Sequence, residues 1–169
     1  MNPMKEIRIE KVTFNVGIGE AGNKLEKAMK LLQSLAEQKP VPTITKKRIP
    51  TWGIRPGMTV GAKVTVRKNQ DKVVERMLKA VGNKLNLKKI GDGTISFGIP
   101  EHILIPGTKY DMDIGILGLG VMVTLERRGF RVNRRTVKKT KIPQRHLISK
   151  EETIDFLKTK FNTTITDEK

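Results

Sequence analysis

The residues whose types and spacing come closest to a chemical motif are Gly17-Ile18-Gly19-Glu20-Ala21-Gly22, a literal GxGxxG between a predicted strand and a predicted helix. In that context the glycines would let a backbone approach the pyrophosphate of a dinucleotide at a helix N-terminus. Three features oppose this reading. The preceding strand alternates apolar and polar residues, whereas the first strand of a parallel nucleotide-binding sheet is buried on both faces. Glu20 would set a carboxylate where anion binding needs positive potential. Where an acidic ribose ligand belongs, the chain has Thr45, Lys46, Lys47 and Arg48. A basic residue there suits a 2′-phosphate, so an NADP-dependent reductase using residues 17–22 stays as the competing reading beside the preferred one, a tight strand-to-helix turn. Other constellations are poor. His102 and His146 stand in distant segments; Asp111 and Asp113 fit a solvated turn as well as a carboxylate pair; no serine lies in a nucleophile elbow. No cluster has metal-ligand spacing. With no cysteine in the chain, disulfides, thiolate metal sites and a cysteine nucleophile are excluded. The expectation is a protein that is not an enzyme and holds no cofactor or metal.

Charge is more informative. The 169 residues include 34 Lys+Arg and 17 Asp+Glu, a net +17. Lys39 to Gln70 holds eight basic residues (Lys39, Lys46, Lys47, Arg48, Arg55, Lys63, Arg67, Lys68) and no acid. Arg127 to His146 holds nine (Arg127, Arg128, Arg131, Arg134, Arg135, Lys138, Lys139, Lys141, Arg145), again without an acid. The rest of the chain is neutral overall, so the whole excess lies in two windows. A merely well-solvated surface intersperses both signs, because like charges repel. Acid-free basic segments make sense against a polyanion, whose neutralised phosphates release condensed counterions.

Aromatic residues set the mode. The chain has five Phe, one Trp and one Tyr, of which only Trp52 and Phe130 fall in the basic windows. Serial base stacking needs more platforms than that, so the expected contacts are to phosphate and sugar of a folded RNA. A generic duplex nucleic-acid binder is a third reading. Phe14 and Phe97 are assigned to the core; Trp52 is either a staple of its own loop or a stacking contact. The longest apolar stretch, Ile114 to Leu125, is shorter than the roughly 18 residues of a membrane span. The charged first ten residues lack a signal-peptide core. The expected location is intracellular, away from membranes.

The elements that must position these groups can be read from periodicity. Ile7 to Val16 alternates as a half-buried strand, with a slip between Ile9 and Val12 that predicts a bulge or a late strand start. Asn23, as N-cap, opens a helix to Glu37 with apolar residues at spacings of three and four. Short strands follow at Val41 to Thr45 and Val60 to Arg67, around a Pro/Gly loop at Ile49 to Met58. A second helix spans Asp71 to Leu85, and a strand spans Ile95 to Gly98, after polar turns. Glu101 to Ile105 reads as a helical turn. Leu119 to Glu126 is a strand whose partner would start at Phe130 to Val132. The basic segment to Arg145 has too few apolar residues to hold itself folded. Ser149 and Glu152 form a capping box for a last helix to Phe161. The length suffices for one core. The expectation is a single α+β domain over residues 1–169, a mostly antiparallel sheet with helices on one face, a projecting loop at about 45–58 and a basic segment at 127–146.

Several stretches in order carry a family likeness: Val12-Thr-Phe-Asn-Val-Gly-Ile-Gly-Glu-Ala21, Gln38-Lys-Pro40, Thr45 through Gly53-Ile-Arg55 to Lys63-Val-Thr-Val-Arg67, Phe97-Gly-Ile-Pro-Glu-His-Ile103, Lys109-Tyr-Asp111, Ile114-Gly115 and His146-Leu-Ile-Ser-Lys-Glu-Glu152. Together they resemble the 5S-rRNA-binding proteins of the large ribosomal subunit (the L-five family), in its archaeal and eukaryotic branch. The resemblance implies an α+β fold, a cytoplasmic, ribosome-bound life, and a place in the central protuberance on 5S rRNA and large-subunit rRNA, beside a second 5S-rRNA-binding ribosomal protein. It implies RNA contact at Asn15, Gln38, Thr45, Lys46, Lys47, Lys63, Thr65 and Arg67. It also implies that Arg48, Pro50, Trp52, Gly53 and Arg55 belong to a loop near P-site tRNA. The segment from Arg127 to Arg145 departs from the bacterial pattern, and its RNA contacts are inferred from charge alone.

Overall fold

The computed structural model describes residues 2–19, 22–108 and 115–166. Glu20, Ala21, Lys109, Tyr110, Asp111, Asp113 and Ile114, named above, lie outside the described residues. Among the described residues, eight strands and four α-helices follow in the order β1 (Ile7–Gly17), α1 (Asn23–Ala36), β2 (Val41–Ile44), β3 (Thr59–Val66), α2 (Gln70–Ala80), β4 (Lys84–Asn86), β5 (Ile90–Gly91), β6 (Thr94–Ile99), β7 (Leu119–Arg127), α3 (Arg131–Arg134), α4 (Lys150–Phe161) and β8 (Thr164–Thr166). Six strands form one sheet in the order β2-β3-β1-β7-β6-β5, antiparallel at every pairing. A parallel pair, β4 with β8, stands apart. The α+β class expected from the sequence is the one observed.

Alternation decides which face is covered. Val12, Phe14 and Val16 of β1, Ala62, Val64 and Val66 of β3, Val121, Val123 and Leu125 of β7, and Ile95, Phe97 and Ile99 of β6 are all buried. They meet Leu31, Leu32 and Leu35 of α1, Val74, Met77 and Leu78 of α2, and Leu157 of α4 in one core. The helices therefore lie on one side, as amphipathic stripes must, and the other face of the sheet is left bare.

Several local expectations shift by a few residues for identifiable reasons. The bulge in β1 falls at Glu10, where the register against β7 jumps between Ile9 and Lys11. Gly22, not Asn23, caps α1, and Asn23 is its first helical residue. The second helix stops at Ala80 rather than Leu85, because Gly82 and Asn83 both adopt positive φ and turn the chain. Leu85 is instead a buried residue of β4. The expected strand at Phe130 to Val132 is the start of the short helix α3; Gly129, at φ 96°, breaks away from β7 before any pairing can begin. The Ser149–Glu152 capping box is present in both directions.

Candidate nucleic-acid interface

The bare face is built by register. Across the sheet, Val41 stands opposite Lys63, Lys63 opposite Asn15, Asn15 opposite Gly120 and Gly120 opposite Gly98. The next row runs Thr65, Thr13, Met122, Ser96, and the one after it Lys11, Thr124, Thr94. Beside one valine and one methionine, these rows hold hydroxyls, an amide, two ammonium groups and glycine, with no carboxylate and no aromatic ring. Beside Asn15 the surface dips shallowly over Gly17, Gly98, Gly118 and Gly120. Of the residues expected to touch RNA, Asn15, Lys63, Thr65 and Arg67 thus fall on or at the end of one surface. Lys11, Thr13, Thr94, Ser96 and Thr124 share this surface and were not named from the sequence. Their positions on the polar side of each alternating strand were readable, but the pairing that gathers them was not.

Thr45 and the following loop form a second part. The Thr45 hydroxyl donates to the carbonyl oxygen of Arg55 at 2.6 Å, and its amide donates to the Met58 carbonyl at 2.9 Å. Ile49 and Ile54 exchange backbone hydrogen bonds at 2.9 and 3.1 Å. Gly53, at φ 65°, closes the turn Pro50–Trp52. The loop is therefore a small closed hairpin with a buried Ile54. Trp52 is 73% exposed at its tip, so it does not staple the loop. Thr45 shapes this hairpin through its hydroxyl. Lys46, Lys47, Arg48 and Arg55 are exposed around it, and Gln38, half-buried, follows the left-handed Glu37 that ends α1.

The second window divides in two. Arg127 is only 5% exposed; its Nη2 donates to Glu152 Oε1 at 2.5 Å and its Nη1 to the Leu147 carbonyl at 3.3 Å. Arg134 pairs with Glu10 and, at 2.6 Å, with the buried Glu126, whose other oxygen takes Arg8 at 2.5 Å. These two arginines, read from charge as RNA contacts, are both engaged in ion pairs within the chain. Arg128 lies 3.6 Å from Glu6. Arg131, Arg135, Lys138, Lys139, Lys141 and Arg145 are exposed. The segment is pinned at both ends, by Arg134 and by His146, whose Nε2 lies 2.9 Å from the Arg128 carbonyl and whose ring packs edge-on to Phe130 at 5.8 Å. These contacts hold the ends of a stretch whose composition alone predicted no stable fold.

Glu10 joins the two windows. Gln70 Nε2 donates to the carbonyl oxygens of Glu10 and Arg67, each at 2.9 Å, while Arg134 holds the Glu10 carboxylate. The end of the first window and the arginine that anchors the second, far apart in sequence, therefore meet at the bulged edge of β1.

The GxGxxG reading fails on the same geometry. β1 lies between two antiparallel neighbours, so there is no parallel crevice to seat a dinucleotide. The amides of Ile18 and Gly19 both donate to the Val60 carbonyl, at 2.8 and 3.0 Å, rather than facing a phosphate. Among the described residues no group of His, Asp and Glu could hold a metal ion, and no helix is long and apolar enough to cross a membrane.

An antiparallel sheet with one helix-covered face and one polar face, whose acid-free central rows are edged by two cationic segments, defines the class: an RNA-binding scaffold protein. Comparison with known proteins gives the family. Residues 2–55 match the family model for ribosomal protein L5, and residues 59–162 match the model for the C-terminus of the same ribosomal family. The large ribosomal subunit protein uL5 of Sulfurisphaera tokodaii is 51% identical over 99% of this chain and 96% of its own length. Those of Nanoarchaeum equitans (50%, over 90% and 92%) and Archaeoglobus fulgidus (47%, over 92% and 88%) are similar. The chain belongs to the ribosomal protein L5 family, whose members are structural proteins of the large ribosomal subunit and not enzymes. The likeness to the archaeal branch read from the sequence agrees with these archaeal relatives.

Proposed function

We propose that this chain binds 5S rRNA in the central protuberance of the large subunit, as one domain, with the bare face of the sheet and the exposed cations of both windows as its RNA surface. It also contacts large-subunit rRNA there and sits beside a second 5S-rRNA-binding ribosomal protein. The observation that carries this reading is the meeting of the two basic windows at the edge of a polar face whose central rows hold no acid. Lysine and arginine supply most of the affinity to phosphates, while Asn15, Thr13 and Thr65 offer donors and acceptors to ribose hydroxyls and fix the register. The absence of aromatic rings from the rows above argues for backbone and sugar contact rather than stacked bases.

The test is to replace Lys46, Lys47 and Arg48 together by alanine and to titrate 5S rRNA at several salt concentrations. All three are exposed, so the thermal unfolding curve should be unchanged. The slope of log affinity against log salt should fall by roughly 2–3, about one unit for each phosphate no longer neutralised. Unchanged affinity and slope would place the RNA surface elsewhere. Competition with duplex DNA of equal length separates the generic duplex reading: a ribose-reading face prefers the RNA.

The hairpin at 45–58 is the proposed contact with P-site tRNA, offering Trp52 for stacking and Arg48 and Arg55 for phosphates. Trp52→Ala should change stability by less than about 0.5 kcal/mol, as for other surface positions. Large subunits carrying it should keep 5S rRNA but retain P-site tRNA less well in filter binding. Full retention would count against the tRNA assignment.

A further inference from the structure

A carboxylate beside a surface that gathers phosphates needs a reason, because it repels the ligand. Glu10 is such a group. It is the extra residue of the β1 bulge: Ile9 stands opposite Leu125 and Lys11 opposite Thr124, and Glu10 has no partner in that register. A bulge frees a backbone group from the ladder and re-aims a side chain, and here both are used. The Glu10 carbonyl accepts from Gln70 Nε2, which also donates to the Arg67 carbonyl in the first window, each at 2.9 Å. The Glu10 carboxylate, on a side chain 15% exposed, takes Arg134 of the second window; Lys11 Nζ lies 3.8 Å from it. Glu126 holds the other terminal nitrogen of Arg134 at 2.6 Å. One residue thus grips the first window by its main chain and the second by its side chain.

The two windows have the same sign of charge and no acid of their own, so in the free protein each repels the other. An acid between them opposes that repulsion. We propose that Glu10 is a positioning residue for RNA binding: it touches no RNA, and it raises affinity by holding the second cationic segment beside the first. Arg131, Arg135, Lys138, Lys139, Lys141 and Arg145, all exposed, then meet the same RNA surface as Lys63 and Arg67. The cost of bringing them together is met on folding rather than on binding, which is the advantage of preorganisation. This inference rests on the RNA-binding reading above and adds to it a requirement for a negative charge.

The test is a titration of 5S rRNA at low salt with variants of the full chain. Glu10→Ala makes the protein more positive, and on charge alone it should bind RNA more tightly. Positioning predicts the opposite sign: an affinity about fivefold lower, the most that a partly exposed ion pair transfers. Glu10→Gln removes the same charge but keeps an acceptor for Arg134, and it should recover most of that loss. The loss in Glu10→Ala should vanish when the exposed second-window cations named above are all replaced by glutamine, because nothing is then left to position. Gln70→Ala, which changes no charge, should weaken binding with the same dependence on those cations, and it serves where Glu10→Ala disturbs the bulge. Unchanged or tighter binding by Glu10→Ala would overturn the proposal. So would a loss that persists without the second-window cations, the mark of a general disturbance of the fold. Failure of the unaltered chain to bind 5S rRNA is a different result: it removes the RNA-binding reading and this inference with it.

Discussion

Raising monovalent salt from 50 to 200 mM is expected to lower the affinity for 5S rRNA by roughly 10³–10⁵. That range follows from six to ten engaged phosphates, each releasing most of a condensed counterion. The structure supplies enough cations. All eight basic residues of the first window are exposed, as are Arg131, Arg135, Lys138, Lys139, Lys141 and Arg145 of the second, and none of these is paired with a carboxylate among the described residues. They outnumber the phosphates engaged because no single RNA surface reaches every side of a hairpin and a loop. Lys63, Arg67 and the hairpin cations present one continuous approach, and the linkage through Glu10 and Gln70 brings the second window to its edge. A filter-binding or fluorescence titration across that salt range reads the slope directly. A slope near zero would mean that binding, if any, rests on neutral contacts, and the polyanion reading would fall. The same series on Lys63→Ala should show a slope lower by about one unit, with little change in selectivity for RNA, since an ammonium reads charge and not sequence.

Which cations belong in that set is where sequence and structure part company. Charge along the chain treats Arg127, Arg134 and Lys139 alike, because all three lie in one acid-free stretch. Their acidic partners lie elsewhere: Glu152 is 25 residues on from Arg127, and Glu10 is 124 residues back from Arg134. No local pattern reveals such pairs. Local signals, by contrast, carried far. The slip in β1, readable as a bulge or a late start, is a bulge at Glu10; the three-and-four spacing of Leu25, Ala28, Leu31, Leu32 and Leu35 set the buried face of α1; Ser149 and Glu152 placed the start of α4. The polar side of each strand could be named from alternation, and the family likeness pointed to Asn15, Lys63 and Thr65. What joined them into rows was register, set by pairings between strands as distant as β1 and β7.

The network around Glu126 gives the largest expected effect on stability. Glu126 is 4% exposed, at the end of β7, and its two oxygens are held by Arg8 at 2.5 Å and Arg134 at 2.6 Å. Both arginines are about half exposed, and removing either one leaves Glu126 with a partner. Each single alanine replacement should cost no more than about 1 kcal/mol, the range of partly exposed ion pairs. Removing both strands a carboxylate in a site closed to water, and the expected cost rises to about 3–5 kcal/mol. The excess over the sum of the singles is a coupling energy that a double-mutant cycle in urea isolates. Adding Glu126→Gln to the double variant removes the uncompensated charge and should restore most of the loss. If the double variant costs no more than its parts, water reaches Glu126 and the network is a surface one. The cycle also separates two roles for the second window. Arg134→Ala loosens the anchor of residues 131–134 and acts through stability, whereas Arg131→Ala should leave urea unfolding unchanged and subtract about one unit from the salt slope of rRNA binding.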